Sequence, residues 1–201
     1  MNEQLESVAR ALRARGFEAA VFDTAQDAAR ALLGELPAAQ TVGIGGSMTV
    51  RQMGLDRQLA EAGHTVFWHW TAADKNAARH QALNAAASIW SANALTQDGL
   101  IVQIDGTGNR AAAICYGPGT VYMLVGRNKL VSGGYQQAVR RIKQVACPKN
   151  AERFGLDTPC RHGGCNVQAC QRSMCNIFLA LERAPGGKRT SVLLIDEDLG
   201  Y

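Results

Sequence analysis

The stretch TVGIGGSMTVRQMG, residues 41–54, restricts the fold most because it reads as a strand, a glycine turn and the start of a helix. α/β proteins build anion sites in this order, since glycine lets the main chain approach a ligand and a helix N-terminus favours negative charge. The stretch therefore predicts a phosphate or carboxylate site at Gly45, Gly46 and Ser47. The alternative is a tight turn in which Ser47 or Thr49 only caps the helix, because G-I-G-G-S fits neither common glycine-rich phosphate motif.

Segments with strand character alternate with segments of helical periodicity in the first half of the chain. Strands are predicted at 17–22, 41–44 and 65–70, and helices at 1–15, 25–36, 49–59 and 74–87. Short joints between such units predict an α/β fold with a mainly parallel, Rossmann-like sheet and helices on both faces. Ligands of these sheets bind beyond the carboxyl ends of the strands, and the glycine turn lies at such an end.

The second half of the chain has a different pattern. The apolar runs LIVQI and RAAAICY, joined by DGTGN, predict a β-hairpin, in which Cys115 would be a core residue. The run TVYMLVG at 120–126 predicts a central strand, and SVLLI at 191–195 a final one. Helices are predicted at 135–145 and 175–184, with a less regular region from Pro148 onward.

Length and charge limit the class of protein. With 201 residues and 21.5 kDa the chain is predicted to be one domain, 1–201, with a lead-in at 1–40 and a cysteine-rich segment at 147–176. The net charge of +4 is small and scattered, which argues against a nucleic-acid partner. Neither a secretory signal nor an apolar run of about 18 residues is present, so the sequence predicts a cytoplasmic protein with no membrane association.

Four cysteines form an even array at five-residue intervals: Cys160, Cys165, Cys170 and Cys175. Four thiolates complete the coordination of zinc or of an iron–sulfur cluster, so we predict a metal at these residues. Five residues rotate about 140° on a helix, so a coordinating segment must be largely non-helical. The spacing fits structural zinc and neither common ferredoxin motif, and disulfides or free thiols remain alternatives.

Polar residues follow several predicted strands and are candidates for an anion site. They are Asn93, Asp105, Asn109, Arg110, Asn128 and Lys129. If the strand ends meet, Lys129 would supply a point charge and Arg110 a planar fork for a carboxylate beside the amides of the glycine turn. The alternative is that Asp105 and Asn109 are ordinary turn residues and that Arg110 is a surface residue of the hairpin.

Several blocks of sequence in a fixed order resemble the LUD-domain family, which includes the lactate-utilisation B and C proteins. They are GIGGSMT, SANALTQDGLIVQIDGTGNRAA, YGPGTVYMLVGRNKLV, AVRRIKQVACPKNAERFGLDTPC and the terminal DLGY, from about Val42 to the C-terminus. The resemblance implies a fold similar to glucosamine-6-phosphate isomerase, ribose-5-phosphate isomerase and the CoA-transferases. It also implies a role in oxidation of L-lactate to pyruvate with partner proteins that carry iron–sulfur clusters. Those partners favour an iron–sulfur cluster over zinc at the cysteine array.

The resemblance implies no set of catalytic residues, so two other functions stay open. One is an independent isomerase-like or CoA-transferase-like enzyme that acts on phosphorylated or thioester substrates. The other is a non-catalytic, metal-binding subunit that recognises a partner. The aromatic residues Phe67, Trp68 and Trp70 leave a homo-oligomer contact open as well.

Overall fold

Helices and strands alternate along the chain in the computed structural model, which describes residues 2–201. The elements are α1 (Glu3–Ala14), β1 (Glu18–Phe22), α2 (Ala25–Glu35), β2 (Thr41–Ile44), α3 (Met48–Gln52), α4 (Leu55–Glu61), β3 (Thr65–Trp68), α5 (Lys75–Leu83), β4 (Ala87–Trp90), β5 (Ala94–Thr96), β6 (Ile101–Asp105), α6 (Asn109–Tyr116), β7 (Thr120–Gly126), β8 (Leu130–Val131), α7 (Tyr135–Arg141), α8 (Cys147–Arg153), β9 (Ile177–Leu181) and β10 (Arg189–Ile195). Short 3₁₀ turns lie at Arg127–Lys129 and Pro159–His162, and a π-helical segment, Ile142–Ala146, joins α7 to α8.

The central sheet contains six parallel strands in the order β1-β10-β7-β4-β2-β3. The prediction of an α/β fold with a mainly parallel sheet is therefore confirmed. A second sheet of four strands, in the order β8-β5-β6-β9, was not predicted. It is mixed, because β6 pairs antiparallel with both β5 and β9 while β8 runs parallel to β5.

Each face of the central sheet has its own apolar core, because alternate residues of a strand point to opposite faces. In β10, Val192 and Leu194 pack with α1 and α6, whereas Leu193 and Ile195 pack with α2 and the helices that follow β2. Helices thus cover both faces, as the sequence predicts. The amphipathic pattern of α1 explains its place, since its apolar residues are the buried ones.

The second sheet joins the first core to an additional helical layer. Ile101 of β6 belongs to the core under α1, whereas Val102 and Ile104 pack against α7 and the π-helical segment. This arrangement places the carboxyl end of β6 near the carboxyl ends of the central strands. It also places α8 opposite the glycine turn.

The predicted hairpin after β6 is wrong, because RAAAICY forms helix α6. The side chain of Asp105 accepts hydrogen bonds from the main-chain N–H groups of Arg110 and Ala111, at 3.0 and 3.1 Å, and so caps the first turn of that helix. Three consecutive alanines then favour the helix. Cys115 is consequently exposed on α6 and is not a core residue.

The predicted helix at 175–184 is also wrong, because Ile177–Leu181 is strand β9. Its pairing with β6 is a long-range contact that the local apolar run does not reveal. The region after Pro148 begins more regularly than predicted, since Pro148 lies in the first turn of α8, where a missing N–H costs little. The predicted helix at 49–59 is divided into α3 and α4 at Gly54, whose φ is 60°. Within residues 2–201, every helix is too short or too polar to span a bilayer.

Candidate functional site

The main cavity of the protein lies beyond the carboxyl ends of β2, β4 and β7, which are neighbours in the central sheet. Its volume is about 630 Å³. The turn after β6, the end of the π-helical segment and helix α8 complete its wall. This is the position where parallel α/β sheets bind ligands.

The glycine turn meets the cavity through only part of its length. A Cβ at Gly45 would lie 1.6 Å from the ring of Trp90, so this glycine is required by packing against an aromatic side chain. Gly46 and Ser47 border the cavity, and the hydroxyl of Ser47 accepts a hydrogen bond from the N–H of Val50 at 3.3 Å. Ser47 thus caps α3 and also lies in the cavity wall, and the anion site at the turn stays a prediction.

Lys129 is the most deeply buried cation of the site, with 2% of its surface exposed. Its Nζ donates hydrogen bonds to Oγ1 of Thr49 at 2.6 Å and to Oγ of Ser91 at 2.5 Å. None of the ion pairs found within residues 2–201 includes Lys129. Burial lowers the pKa of Lys129 well below its ordinary value, and the positive charges of Arg141 and Arg110 lower it further.

Both hydroxyl groups accept from the lysine and have acceptors of their own. Ser91 donates to the carbonyl oxygen of Leu124 at 2.5 Å, and Oγ1 of Thr49 lies 3.2 Å from two acceptors, the carbonyl oxygen of Leu199 and Oγ of Ser91. The three groups therefore tie together the starts of α3 and of the loop after β4 with the end of β7. The sequence prediction placed Lys129 beside the glycine turn, and the structure brings the two together.

Asp105 and Arg110 also line the cavity. In addition to capping α6, the carboxylate of Asp105 accepts a hydrogen bond from the N–H of Thr107 at 3.3 Å. The Nε of Arg110 lies 3.9 Å from this carboxylate, and its Nη2 donates to the carbonyl of Ile104 at 2.6 Å. Asp105 therefore serves as a structural cap while it also supplies a negative charge beside Arg110.

Positive side chains dominate the cavity wall. They are Arg51, Lys75, Arg79, Arg110, Lys129 and Arg153. Asp105 is the one carboxylate side chain of the wall among residues 2–201. The Nε atoms of Arg79 and Arg153 are buried and have no hydrogen-bond acceptor within the described part of the chain. Their Nη groups do have acceptors, because Arg79 donates to Asn76 at 2.9 Å and Arg153 donates to Asn150 at 3.0 Å.

Aromatic side chains hold one of these arginines in place. The guanidinium of Arg153 lies 4.6 Å from the ring centre of Trp70 and 3.9 Å from that of Phe154. Trp70 stacks on Trp68, with 5.2 Å between ring centres. Such cation–π contacts orient the guanidinium without neutralising its charge.

The pKa of His69 is lowered by burial and by the positive side chains around it. Burial lowers its pKa from 6.5 to about 4, and the charges of Arg79, Lys75, Arg110 and Arg153 add to this effect. The imidazole is therefore neutral at pH 7. An anion in the cavity would raise this pKa by offsetting the surrounding charge.

The three candidate asparagines are used in different ways. Asn93 accepts a hydrogen bond from the N–H of Ile104 at 3.0 Å, and Asn109 accepts one from the hydroxyl of Thr107 at 2.8 Å, both in the cavity wall. Asn128 lies outside the wall and binds the main chain of residues 199 and 200. Gly45 lies outside the wall as well.

Several residues of the site were missed by the sequence analysis. Arg79, Arg153 and His69 carry no local motif, and Arg153 follows a proline that suggested irregular structure. Ser91 could have been predicted as a site residue, since it directly follows the buried strand β4. Arg79 and Arg153 reach the same cavity because of the way α5 and α8 pack. The spacing of residues along the chain does not reveal that packing.

The cysteine array partly approaches the same cavity. Sγ of Cys175 lies 3.3 Å from Sγ of Cys147, a residue outside the array, and both line the cavity. The hydrogen bond from Cys147 lowers the pKa of Cys175 to about 6, against an opposing effect of burial and with help from Lys143. Cys160 and Cys175 both pack against the apolar cluster that contains Ile142, Ala146 and Cys147. Cys165 is exposed.

As arranged, the cysteines do not form a metal centre. Within residues 2–201, no group of three or more His, Cys, Asp or Glu side chains is suited to hold a metal ion. The predicted site at Cys160, Cys165, Cys170 and Cys175 therefore stays a prediction. The observed pair of thiols differs from the predicted ligand set, because the pair includes Cys147.

Comparisons with known proteins place this geometry in context. A family model described as the LUD domain matches residues 5–195. The crystal structure of a DUF162-family protein from Deinococcus radiodurans is similar over 96% of both chains, with a TM-score of 0.55 and 13% identity. At this identity the likeness shows a shared fold. No match was found among curated proteins.

Two structures of eIF2B from Chaetomium thermophilum are more distantly similar. The delta subunit has a TM-score of 0.35 and 16% identity, and covers 53% of this chain and 48% of its own. The tetrameric beta–delta complex has a TM-score of 0.38 and 18% identity, and the match covers 58% of this chain and 47% of that chain. These values are too low to support an argument.

Proposed function

Because the chain belongs to the LUD-domain family, we propose that its cavity binds a small organic anion during oxidation of L-lactate to pyruvate in an iron–sulfur oxidoreductase system. The ligand class is a carboxylate or a phosphate. The link to lactate comes from the sequence resemblance described above. The site residues proposed for the anion are the cationic side chains of the wall, together with Gly46, Ser47 and Thr49.

One observation carries the anion-binding proposal: six cationic side chains and a single carboxylate side chain line the cavity within residues 2–201. A bound carboxylate or phosphate would offset this excess of positive charge. Hydrogen bonds from charged donors would stabilise the complex by about 1.5–3 kcal/mol each. Asp105 does not neutralise all of these cations, and its oxygens also accept from the main chain of α6.

Isothermal titration calorimetry with L-lactate, pyruvate and inorganic phosphate tests this proposal. Arg153→Met should weaken binding of the favoured ligand by about tenfold or more, since one charged hydrogen bond is lost. Arg30→Met is the matched control, because Arg30 is exposed and pairs with Asp27 at 3.0 Å, away from the cavity. If the wild type binds none of the three anions, or if both variants bind equally well, the proposal is wrong.

The metal is a separate proposal, supported by the thiol pair of Cys147 and Cys175 and by the density of cysteines in the segment. An iron–sulfur cluster remains first and zinc second, and we assign no chemical step to either. Purification without oxygen, followed by metal analysis and a visible absorbance spectrum, tests it. Absorbance that disappears in Cys175→Ser would support a cluster, whereas a colourless protein without stoichiometric metal would exclude both.

A second candidate function follows from the size of the cavity. A volume of about 630 Å³ exceeds what lactate fills and lies in the range of sites for larger ligands. An isomerase-like or CoA-transferase-like enzyme would use the same cations to bind a phosphorylated or thioester substrate. Turnover of such substrates that is lost in Arg79→Met would favour this alternative.

Partners of the chain are a further part of the proposal. Iron–sulfur proteins are expected to act with it. A homo-oligomer is a second expectation, but Trp68 is buried and Trp70 lines the cavity, so neither supplies a surface contact. Co-purification from cells and light scattering of the isolated protein test these two expectations. A non-catalytic subunit would bind a stable companion and none of the anions above.

A further inference from the structure

We propose that Lys129 forms a covalent imine with a small carbonyl compound that also carries an acid group, of which the 2-oxo acids are the simplest class. This inference rests on the proposed function, because the cationic wall would hold the acid group. It adds a nucleophile and a substrate class to a site that otherwise only binds an anion.

The hydrogen bonds of Nζ leave one position of the amine free. Two N–H groups donate to Thr49 and Ser91, whose own protons have acceptors other than the lysine. These acceptors are the carbonyl of Leu124 for Ser91, and the carbonyl of Leu199 or the hydroxyl of Ser91 for Thr49. A neutral amine has two N–H groups and one lone pair. Its lone pair must therefore point away from both hydroxyls, and the side chain lines the cavity.

The surroundings of Lys129 favour the neutral amine. Its side chain is buried, and none of the ion pairs found within residues 2–201 includes it. The charges of Arg141 and Arg110 lower its pKa further, and Arg141 is fixed by hydrogen bonds to the carbonyls of Asn93 and Asn128. A lowered pKa increases the fraction of neutral, nucleophilic amine.

Arginine side chains of the cavity wall would bind the acid group of the ligand. Arg110, Arg153 and Lys129 all line the same cavity, and the charge of Arg110 lowers the pKa of both Lys129 and Arg153. A carboxylate bound to these guanidinium groups would hold the rest of the ligand in the cavity that Lys129 lines. A carbonyl compound without an acid group would lack this anchor.

The reaction balances without any redox partner. The lone pair of Nζ attacks the carbonyl carbon, and the π electrons of the C=O bond move to oxygen, which takes a proton to give a carbinolamine. Nitrogen loses one proton, the hydroxyl leaves as water after a second protonation, and the C=N bond forms. The product is a protonated imine whose positive charge is offset by the carboxylate of the same ligand.

Trapping with a hydride reagent tests the proposal on the full-length protein. Glyoxylate or pyruvate is added with sodium cyanoborohydride, which reduces an imine to a stable secondary amine, and the adduct is located by peptide mass spectrometry. We expect one adduct per chain on Lys129, formed at least tenfold faster than on the exposed Lys149. Equal labelling of all lysines, or an unmodified Lys129, would overturn the proposal.

Variants provide the controls. Lys129→Met and Lys129→Arg should lose the fast adduct, whereas Lys188→Met should keep it. Lys188 is partly buried, its pKa is also lowered by burial, and it donates to the carbonyl of Ala113 outside the cavity. Location of the adduct in the wild type decides the question even if a variant fails to fold.

Two further arms separate this inference from the proposed function. Acetaldehyde, which has no acid group, should label Lys129 no faster than it labels the exposed lysines. If L-lactate binds by calorimetry but glyoxylate is not trapped, the imine is wrong and the anion site stands. If no anion binds and glyoxylate labels only exposed lysines, both proposals fail.

Discussion

Replacement of Lys129 by methionine should change the pH dependence of stability in a defined direction. Lysine is protonated in the unfolded chain up to about pH 10.4, whereas burial lowers its pKa in the folded protein. The unfolded state therefore binds one more proton between the two pKa values. The free energy of unfolding must then rise with pH in that window and stop depending on this group below the folded-state pKa, where both states are protonated.

The size of the effect follows from the single proton. One proton of difference gives a slope of about 1.4 kcal/mol per pH unit, or about 2.7 kcal/mol between pH 7 and pH 9 if the folded-state pKa lies below that range. The methionine variant lacks this contribution and also loses the two hydrogen bonds to Thr49 and Ser91, about 1 kcal/mol each. Relative to the wild type, it should therefore be most destabilised at high pH and should lose this disadvantage as the pH falls.

Urea unfolding followed by circular dichroism at several pH values measures the difference between the two proteins. Other titrating groups cancel in this difference, because both chains contain them. Lys149→Met is the control and should give a constant difference, since Lys149 is exposed. Parallel pH profiles for wild type and Lys129→Met would falsify the assignment of a neutral, unpaired lysine.

Three other perturbations test particular contacts of the site. Gly45→Ala should lower the free energy of unfolding by about 3 kcal/mol, because its Cβ would overlap the ring of Trp90, which is 1% exposed. The control Gly34→Ala in α2, where a new Cβ would have nothing within 4 Å, should raise the free energy of unfolding by about 0.5–1 kcal/mol. Equal effects of the two variants in denaturant unfolding would contradict the packing role of Gly45. Binding of an organic acid near pH 5.5 should take up a proton, because the anion raises the pKa of His69 from about 4; calorimetry in buffers of different ionisation enthalpy measures this uptake, and His69→Gln should abolish it. Asp105→Ala should destabilise the protein by about 1–2 kcal/mol, because it removes the cap of α6, and an unchanged urea midpoint would argue against this role.

The parallel sheet was predictable because its strands carry local signals. Thr41–Ile44, TVYMLVG and SVLLI are short apolar runs bounded by turn residues, and the structure forms β2, β7 and β10 from them. The hairpin prediction failed because it read RAAAICY by its apolarity alone. The Asp105 side chain caps a helix there, and the second sheet depends on pairing between β6 and β9, which are far apart in sequence.

The candidate site was predictable only in part, for a similar reason. Residues that directly follow strands, such as Lys129 and Ser47, were placed near one another by the geometry of a parallel sheet. Arg79 and Arg153 lie on helices, and only the docking of those helices directs their guanidinium groups into the cavity. The same docking brings Cys147 to Cys175 across the chain.

The sequence by itself determined the alternation of strands and helices, the end of the sheet at which a ligand can bind and the family to which the chain belongs. These follow from local periodicity, from turn residues and from blocks of sequence in a fixed order. The tertiary structure alone decided the lowered pKa of Lys129 and the excess of cations around the cavity. Both depend on burial and on distances between distant segments, and electrostatic energies in a folded protein are set by those quantities.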